Sequence, residues 1–378
     1  MARAEMTPIP QRLHQQEPDR LTGPAARRAW TQEAVRLIGA DARRTADTNL
    51  IRLPFSGAPG ISLYLKDEST HPTGSLKHRL ARALFLHALC SGRIGPDSTV
   101  VEASSGSTAV SEAYFAKLLG LRFFAVVPRS VAAAKVAAIG LHGGQIRYVD
   151  SAADIRRESL RLACETGGHY MDQFTYAERV GDWRGEDNIG CSIFSQMGAE
   201  ADPIPAWLVC GAGTGGTSAT LGRFIRYRQL PTRLCVADPQ NSVFHRHYHD
   251  RTTTAVPGGQ ESCIEGIGRC AIEPSFIPEL IDRMLPVSDA QSIGALRAVW
   301  EVLGRRCGGS TGTNFWAAAQ LISEMKRAGE TGSLVTIQCD DGERYADTYF
   351  SDAWLQDRGI DWRPERARMA AFFESGCL

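Results

Sequence analysis

The chain has 378 residues, of which 43% are hydrophobic and 22% are charged, and this length is enough for two hydrophobic cores. Its 42 basic residues balance 42 acidic residues, so the composition provides no broad positive surface for nucleic acid or an anionic membrane. The first 20 residues contain no apolar core of signal-peptide length and no later apolar segment approaches a membrane span, which predicts a cytoplasmic protein that acts on a small molecule. The ten cysteines include no CxxC pair, so we expect reduced thiols rather than a disulfide framework.

Apolar and amphipathic segments alternate along most of the chain. Residues 1 to about 28 lack such periodicity and are predicted to be a mobile extension, followed by a helix from about Ala29 to Ala40. From Ile61 onward the alternation predicts strand, helix, strand, helix, which is typical of an α/β fold with two mostly parallel, twisted sheets flanked by helices. We expect an extension and helix at 1–45, an N-terminal domain at 46–185, a C-terminal domain at 186–352 and a tail at 353–378.

The predicted helix in "SLKHRLARALFLHAL" places a lysine on its apolar side. From Lys77, helical spacing gives an apolar stripe of Leu80, Ala81, Leu84 and Ala88. The polar residues expected on the other side are Ser75, His78, Arg79 and Arg82. With Ser75 as N-cap, Lys77 lies in the first turn, where desolvation and the helix dipole both lower a lysine's pKa. Lys77 is therefore either a lysine whose stem covers apolar surface or a partly neutral amine that acts as nucleophile or base.

A glycine-rich loop joins the strand "AWLVC" to the next predicted helix, and its residues are Gly211, Ala212, Gly213, Thr214, Gly215, Gly216 and Thr217. Such a loop can direct N–H groups toward an anion at a helix N-terminus, which predicts a phosphate site. Gly211, Gly213 and Gly216 also fit the G-x-G-x-x-G dinucleotide fingerprint, and Asp238 follows where a ribose-binding acid would lie. A nicotinamide site is therefore an alternative, as is a tight turn that binds nothing.

Two further loops carry glycine and hydroxyl residues in front of helices. The run "EASSGSTAV" holds Ser104, Ser105, Gly106, Ser107 and Thr108, whose donors suit a carboxylate. The run "GGSTG" contains Ser310 and precedes another helix. Because three such loops occur with the lysine in one α/β chain, we expect them to meet around one ligand at the carboxyl ends of strands.

Four motifs, "PTGSLKHR", "EASSGSTAV", "GTGGTSA" and "GGSTG", resemble in order and separation the fold type II pyridoxal-phosphate enzymes. This group contains the tryptophan synthase β-chain, cysteine synthase and cystathionine β-synthase. Longer runs between about Ala29 and Asp352, including "YAERVGDWRGEDNI" and "DGERYADTYFSD", more closely resemble its bacterial L-cysteine desulfhydrases.

The resemblance implies a pyridoxal 5'-phosphate cofactor and assigns roles to residues. Lys77 would form the Schiff base with the cofactor and act as the catalytic base. The other cofactor-binding positions would be Ser107, Gly213, Thr214, Gly215, Gly216, Thr217 and Ser310, with Ser310 facing the pyridine nitrogen. The substrate carboxylate would be bound by Ser104, Ser105, Gly106, Thr108 and Gln173. Ser107 departs from many cysteine synthases, which have asparagine beside the ring hydroxyl, so cofactor geometry is expected to differ there.

The implied reaction is β-elimination on L-cysteine or a related β-substituted alanine, giving sulfide, pyruvate and ammonia via aminoacrylate. One alternative is a β-replacement synthase that adds a second nucleophile to aminoacrylate. Others are an NAD-dependent dehydrogenase and a noncatalytic sensor that retains the pocket. The resemblance also implies a homodimer that takes a small-molecule amino-acid substrate and needs no metal.

Two features remain outside these motifs. His245, His247 and His249 alternate in "VFHRHYHD" and would share one face of a strand, where they could ligate a metal. Cys307, beside the loop of Ser310, is either a buried structural thiol or an oxidant sensor.

Overall fold

The computed structural model describes residues 23–256 and 262–378. Most of the extension predicted at residues 1 to about 28 therefore lies outside the described residues. The described part of it is helical, because the first helix begins at Pro24 and not near Ala29, and it continues to Arg44. A proline is favourable in the first turn of a helix, where its missing N–H would have no partner.

The described residues contain ten strands and thirteen helices, which alternate through most of the chain. The strands are β1 Asn49–Arg52, β2 Ile61–Asp67, β3 Thr99–Glu102, β4 Arg122–Pro128, β5 Gln145–Val149, β6 His169–Tyr170, β7 Trp207–Gly211, β8 Arg233–Pro239, β9 Arg283–Val287 and β10 Gly332–Gln338. The helices are α1 Pro24–Arg44, α2 Lys77–Cys90, α3 Ser107–Leu118, α4 Ala133–Leu141, α5 Ile155–Glu165, α6 Gln173–Val180, α7 Ile189–Met197, α8 Gly216–Tyr227, α9 Val243–His249, α10 Asp289–Leu303, α11 Gly309–Ala328, α12 Asp352–Asp357 and α13 Arg363–Ser375.

The strands form two sheets, which confirms the predicted α/β class. The smaller sheet has the order β5-β4-β3-β6, and all of its pairs are parallel. The larger sheet has the order β1-β2-β10-β7-β8-β9, and only β1 and β2 pair in antiparallel fashion. Alternate residues of β7 pack into two different cores, Val209 in one and Leu208 and Cys210 in the other, so both faces of this sheet are covered.

The pairing of β2 connects a segment near the start of the described chain to the larger sheet. Residues 46–185 were expected to form one unit, yet β2 pairs in parallel with β10 and Ile61 lies opposite Gly332. Residues 49–67 thus belong to the larger sheet. The predicted tail at 353–378 also joins this half of the molecule, since α13 packs on α10 and buries Met369 and Phe372. The domain limits stay a prediction.

A segment predicted to be one long loop, up to about residue 285, contains α9 and the first residues of β9. Ser242 caps α9 by accepting a hydrogen bond from the Phe244 N–H. His245, His247 and His249 therefore lie on a helix, and the prediction of a strand was wrong. Among the described residues, no group of three or more His, Cys, Asp or Glu side chains is arranged to hold a metal ion.

Two further properties concern the whole described part of the chain. None of its helices has the length and apolar character to cross a membrane. All ten cysteines are free thiols, as the sequence predicted.

Candidate active site

Lys77 is the first residue of α2, and the loop before it is attached to the carboxyl end of β10. The Leu76 N–H donates to the Cys339 carbonyl at 2.7 Å, and the Asp341 N–H donates to the Gly74 carbonyl at 3.1 Å. Ser75 Oγ accepts a hydrogen bond from the Lys77 N–H at 3.1 Å. The N-cap is Leu76 and not Ser75, but Lys77 does lie in the first turn, as predicted.

The polar side predicted for α2 is not exposed. His78 and Ser75 are buried, and His78 Nδ1 lies 3.2 Å from Thr73 Oγ1. Burial lowers the pKa of His78 to about 3, so its imidazole is neutral. Arg79 donates at 2.6 Å to the carboxylate of Glu68, which is completely buried. Paired polar groups therefore anchor the side of α2 that periodicity assigned to solvent.

Lys77 has the electrostatic environment of a reactive amine. Burial lowers its pKa to about 8, and the positive charge of Arg269 adds to this shift. Cys339 and Asp340 lie close enough to oppose part of it. A far larger fraction of Lys77 is therefore neutral near pH 7 than of an exposed lysine, which is the state needed for a nucleophile or base.

One cavity joins Lys77 to the glycine-rich loop. Its walls include Lys77 from α2, with Thr214, Gly216 and Thr217 from the start of α8. Asn188 and other residues of the segment before α7 complete the wall. The structure thus brings together two sites that lie well over 100 residues apart in the sequence.

The backbone of the glycine-rich loop needs glycine for steric reasons. Gly215 has φ of 90°, and a Cβ atom there would lie 2.4 Å from the Ser275 carbonyl oxygen. A Cβ atom on Gly213 would lie 2.0 Å from the Gly266 carbonyl oxygen. The backbone N–H groups of Thr214, Gly215 and Thr217 make no hydrogen bond to the described residues. Together with the N-terminus of α8, they form a cradle for an anion such as phosphate.

The serine-rich loop follows β3 and contacts the segment after β6, the neighbouring strand. Thr108 Oγ1 donates to Gln173 Oε1 at 2.8 Å, and both side chains are buried. Ser104 Oγ accepts from the Gly106 N–H at 3.2 Å, which shapes the loop. Ser105 is half-buried beside them. Of the predicted carboxylate-binding residues, Thr108 and Gln173 are in direct contact.

Ser107 has a neighbour that the sequence analysis missed. Its Oγ accepts a hydrogen bond at 2.6 Å from the guanidinium of Arg344, in the segment that follows β10. The positively charged guanidinium of Arg344 thus lies beside the position at which many cysteine synthases have asparagine. Arg344 lies within the quoted run "DGERYADTYFSD", but no spacing rule connects it with Ser107.

Ser310 lies buried in the first turn of α11 and is connected to Lys77 through Cys339. Its hydroxyl lies near the Cys339 thiol, and that thiol is near enough to Lys77 to influence the pKa of its amine. Beside it, burial raises the pKa of Asp340 to about 6. Cys339 and Asp340 were missed, although their place directly after a strand could have indicated them.

Two other candidate site residues, Cys307 and Asp238, have environments that indicate structural roles. Cys307 is fully buried and burial raises its pKa, which favours the structural thiol over the oxidant sensor. Asp238 is completely buried and accepts a hydrogen bond from the His245 N–H at 2.9 Å. Asp238 therefore stabilises the start of α9, and its carboxylate is not exposed to bind a ribose.

Comparison with known protein families distinguishes between pyridoxal phosphate and a nicotinamide dinucleotide as the ligand of the glycine-rich loop. Residues 43–340 match the model of a family described as pyridoxal-phosphate dependent enzyme. The chain belongs to this family. Pyridoxal phosphate is therefore its cofactor, and the family excludes the nicotinamide alternative.

Members of the family with different activities resemble this chain. It is 56% identical to the L-cysteine desulfhydrase Cds1 of Mycobacterium tuberculosis over 353 residues, which cover 92% of this chain and 95% of that protein. It is 26% identical to cysteine synthase 1 of Emericella nidulans over 322 residues, covering 83% and 85% of the two chains. The crystal structure of O-ureido-L-serine synthase superposes with a TM-score of 0.71 at 24% identity, covering 84% of this chain and 98% of that one, and confirms the fold.

The residues at and near the cavity have the chemistry that binding of pyridoxal phosphate requires. An amine of lowered pKa, Lys77, and an anion cradle at the start of α8 share its walls. Ser310 supplies a neutral hydroxyl near Cys339, whose thiol lies close enough to Lys77 to affect its pKa. Covalent attachment, phosphate binding and a contact for the ring thus each have a residue of suitable chemistry.

Proposed function

We propose that this enzyme catalyses β-elimination on L-cysteine, converting L-cysteine and water into sulfide, pyruvate and ammonia. The observation that carries the proposal is the 56% identity to an L-cysteine desulfhydrase over nearly the whole chain. The buried amine of Lys77 supports it, because elimination requires a base at the α-carbon. Related β-substituted alanines with good leaving groups would be accepted by the same chemistry.

In this proposal, the Lys77 amine would hold the cofactor, and the same amine, when free, would remove the α-proton of the substrate. Pyridoxal phosphate, when bound, supplies an electron sink for the charge left at the α-carbon. The pKa of Lys77 near 8 suits both roles, since the neutral amine is nucleophilic and basic and the protonated amine can return a proton.

The proposed cofactor site uses residues of all three loops. The cradle of Gly213, Thr214, Gly215, Gly216 and Thr217 would hold the phosphate, with the N–H groups of Thr214, Gly215 and Thr217 as donors. Ser310 would face the ring nitrogen without imposing a proton on it. Ser107, together with the cation of Arg344 that donates to it at 2.6 Å, would lie beside the ring hydroxyl.

The proposed substrate site lies at the N-terminus of α3. Ser104, Ser105, Gly106, Thr108 and Gln173 would bind the substrate carboxylate through hydroxyl, amide and backbone N–H donors. The contact of 2.8 Å between Thr108 and Gln173 supports their action as a unit. Such donors at a helix N-terminus stabilise a negative charge and fix the orientation of the α-carbon toward Lys77.

A β-replacement synthase is the second candidate, and the likeness to cysteine synthase 1 supports it. Every residue named above would serve both reactions, so the difference lies in whether a second nucleophile reaches the site before the product leaves. We further propose that the protein is a cytoplasmic homodimer. Sedimentation of the purified protein measures the oligomeric state, and a monomer would contradict this proposal.

The direct test records the visible spectrum of the purified enzyme while L-cysteine is added and sulfide and pyruvate are assayed. We expect a violet band that changes on addition, with the two products rising in equal amounts. A stable spectral change without pyruvate, followed by consumption of an added thiol, would reassign the enzyme as a synthase. A protein without a violet band would contradict the proposed attachment to Lys77.

The uptake of cofactor by the apoprotein should depend on pH through Lys77. A lysine whose folded pKa is lowered to about 8 is protonated below that pH and neutral above it. We therefore expect the rate of violet-band formation, after pyridoxal phosphate is mixed with apoprotein, to rise about tenfold per pH unit below pH 8 and to level off above it. A rate that continues to rise to pH 10 would indicate an ordinary exposed lysine.

A further inference from the structure

One short segment after β10, residues 340–345, contacts three parts of the proposed site. Its backbone is bound to two of them. The Asp341 N–H donates at 3.1 Å to the Gly74 carbonyl, in the loop that precedes α2. The Gly308 N–H, at the start of α11, donates at 3.2 Å to the Asp340 carbonyl. The segment therefore fixes the loop before the reactive lysine relative to the loop before α11.

Arg344 makes the third contact of this segment, with the serine-rich loop. Its guanidinium donates at 2.6 Å to Oγ of Ser107, the first residue of α3. The backbone that carries Arg344 is itself anchored, because the adjacent Tyr345 hydroxyl donates at 2.8 Å to Asp340 Oδ2 and both of these side chains are buried. Arg344 thus extends from a fixed support and connects the start of α3 to the other two parts of the site.

The chemistry of the two groups fixes the direction of the hydrogen bond between Arg344 and Ser107. A guanidinium has N–H donors and no acceptor, so Ser107 Oγ must accept. The hydroxyl proton of Ser107 therefore points away from Arg344, and no acceptor for it is found among residues 23–256 and 262–378. The positive charge of Arg344 also polarises the hydroxyl, which makes it a stronger donor. Ser107 thus presents an oriented donor to a ligand at this position.

We propose that Arg344 is a positioning residue that holds the Ser107 hydroxyl as a donor toward the ring oxygen of pyridoxal phosphate and so favours the ionised form of that oxygen. The inference rests on the proposed function, in which Ser107 lies beside the ring hydroxyl. Many cysteine synthases have asparagine at this position, and its side-chain amide has N–H donors of its own. A serine hydroxyl can donate or accept, and the contact with Arg344 selects the donor.

The visible spectrum of the holoenzyme reports the state of this ring oxygen. When the cofactor is joined to a lysine, the form with an ionised ring oxygen absorbs in the violet, and the form with a protonated ring oxygen absorbs in the near ultraviolet. Hydrogen bonds from the protein shift the balance between the two forms. The ratio of the violet band to the near-ultraviolet band therefore measures the donor at Ser107, and a variant that is merely less stable does not change it.

The test records this ratio for the holoenzyme at neutral pH in the wild type and in variants. Arg344→Met should lower it about three- to tenfold, the effect of losing a charged hydrogen-bond partner whose exposure to solvent screens part of its charge. Ser107→Ala should lower the ratio by a similar factor. Both variants remove the same interaction, so the double variant should lie within about twofold of the lower single variant.

Arg306 offers a matched control in the same part of the molecule. Its guanidinium donates at 3.1 Å to Glu343, so it supports the segment that carries Arg344 without involving Ser107. Arg306→Met removes a positive charge and a support of this segment, and it should leave the ratio of the two bands within about twofold of the wild type. The comparison separates the donor at Ser107 from a general effect of charge or of segment stability.

Three outcomes would overturn the inference and leave the proposed reaction intact, provided that the wild type makes pyruvate from L-cysteine. These are an unchanged ratio in Arg344→Met, an equal change in Arg306→Met, and effects of Arg344→Met and Ser107→Ala that multiply in the double variant. Spectral changes as expected in a protein that makes no pyruvate would refute the proposed reaction alone. A holoenzyme without a violet band would refute the inference together with the proposed attachment to Lys77.

Discussion

Lys77→Ala should lower kcat for pyruvate formation from L-cysteine by about 10³ to 10⁴-fold, the contribution of a well-placed general base. The reason is that no other amine is seen on the wall of the cavity that holds Lys77, within the described part of the chain. The measurement is steady-state pyruvate release with excess pyridoxal phosphate, so that weaker cofactor retention does not obscure the result. Full turnover in Lys77→Ala would refute the proposed mechanism.

Lys66 offers a matched control, because it is a second lysine whose pKa burial lowers to about 8, and its side chain is completely buried. Its ammonium is held by the Thr48 carbonyl and by Gln196 Oε1, each at 2.7 Å, and it does not line the cavity. Lys66→Met should lower the free energy of unfolding by about 1–3 kcal/mol, since it leaves Gln196 Oε1 without its donor and leaves the Thr48 carbonyl with the Gln196 side-chain amide as its remaining donor. Its kcat should remain within about threefold of the wild type. Equal losses of kcat in the two variants would mean that burial, and not position, explains the effect of Lys77→Ala.

The strands that the sequence predicted best are those buried on both faces. The runs "ISLYLKD", "RFFAVVP" and "RLCVADP" coincide with β2, β4 and β8, because strands of a covered parallel sheet are nearly continuous apolar runs. The sheet to which β2 belongs could not be predicted, since its partner β10 lies about 270 residues away and periodicity contains no pairing information. The short α9 was missed because its alternating histidines imitate a strand.

Prediction of the candidate site from the sequence has the same limits. Its three loops were identified because glycines and hydroxyl residues before helices have a local signature. Arg344 was missed because its contact is with a distant residue, Ser107. The burial of Glu112 was missed as well. In a helix such as α3, a glutamate normally indicates a solvated face, and only the packing against β3 shows that this one is buried.

Gly215→Ala should weaken the affinity of the apoprotein for pyridoxal phosphate about 100-fold. Alanine is disfavoured at φ of 90°, and its Cβ atom would lie 2.4 Å from the Ser275 carbonyl oxygen, so the loop must leave the conformation that presents its N–H groups. Strain and overpacking of this kind amount to about 3 kcal/mol together, which corresponds to that change in affinity. Titration of apoprotein with the cofactor, followed by the violet band, measures the effect.

The control is Gly39→Ala in the exposed middle of α1, where a Cβ atom would meet nothing within 4 Å. Alanine is the better helix former, so this variant should gain up to about 1 kcal/mol in free energy of unfolding and keep its cofactor affinity. The contrast separates a glycine required by the backbone from one that is merely present. If Gly215→Ala binds pyridoxal phosphate as tightly as Gly39→Ala, the phosphate does not depend on this loop, and the assignment of residues 213–217 must be withdrawn.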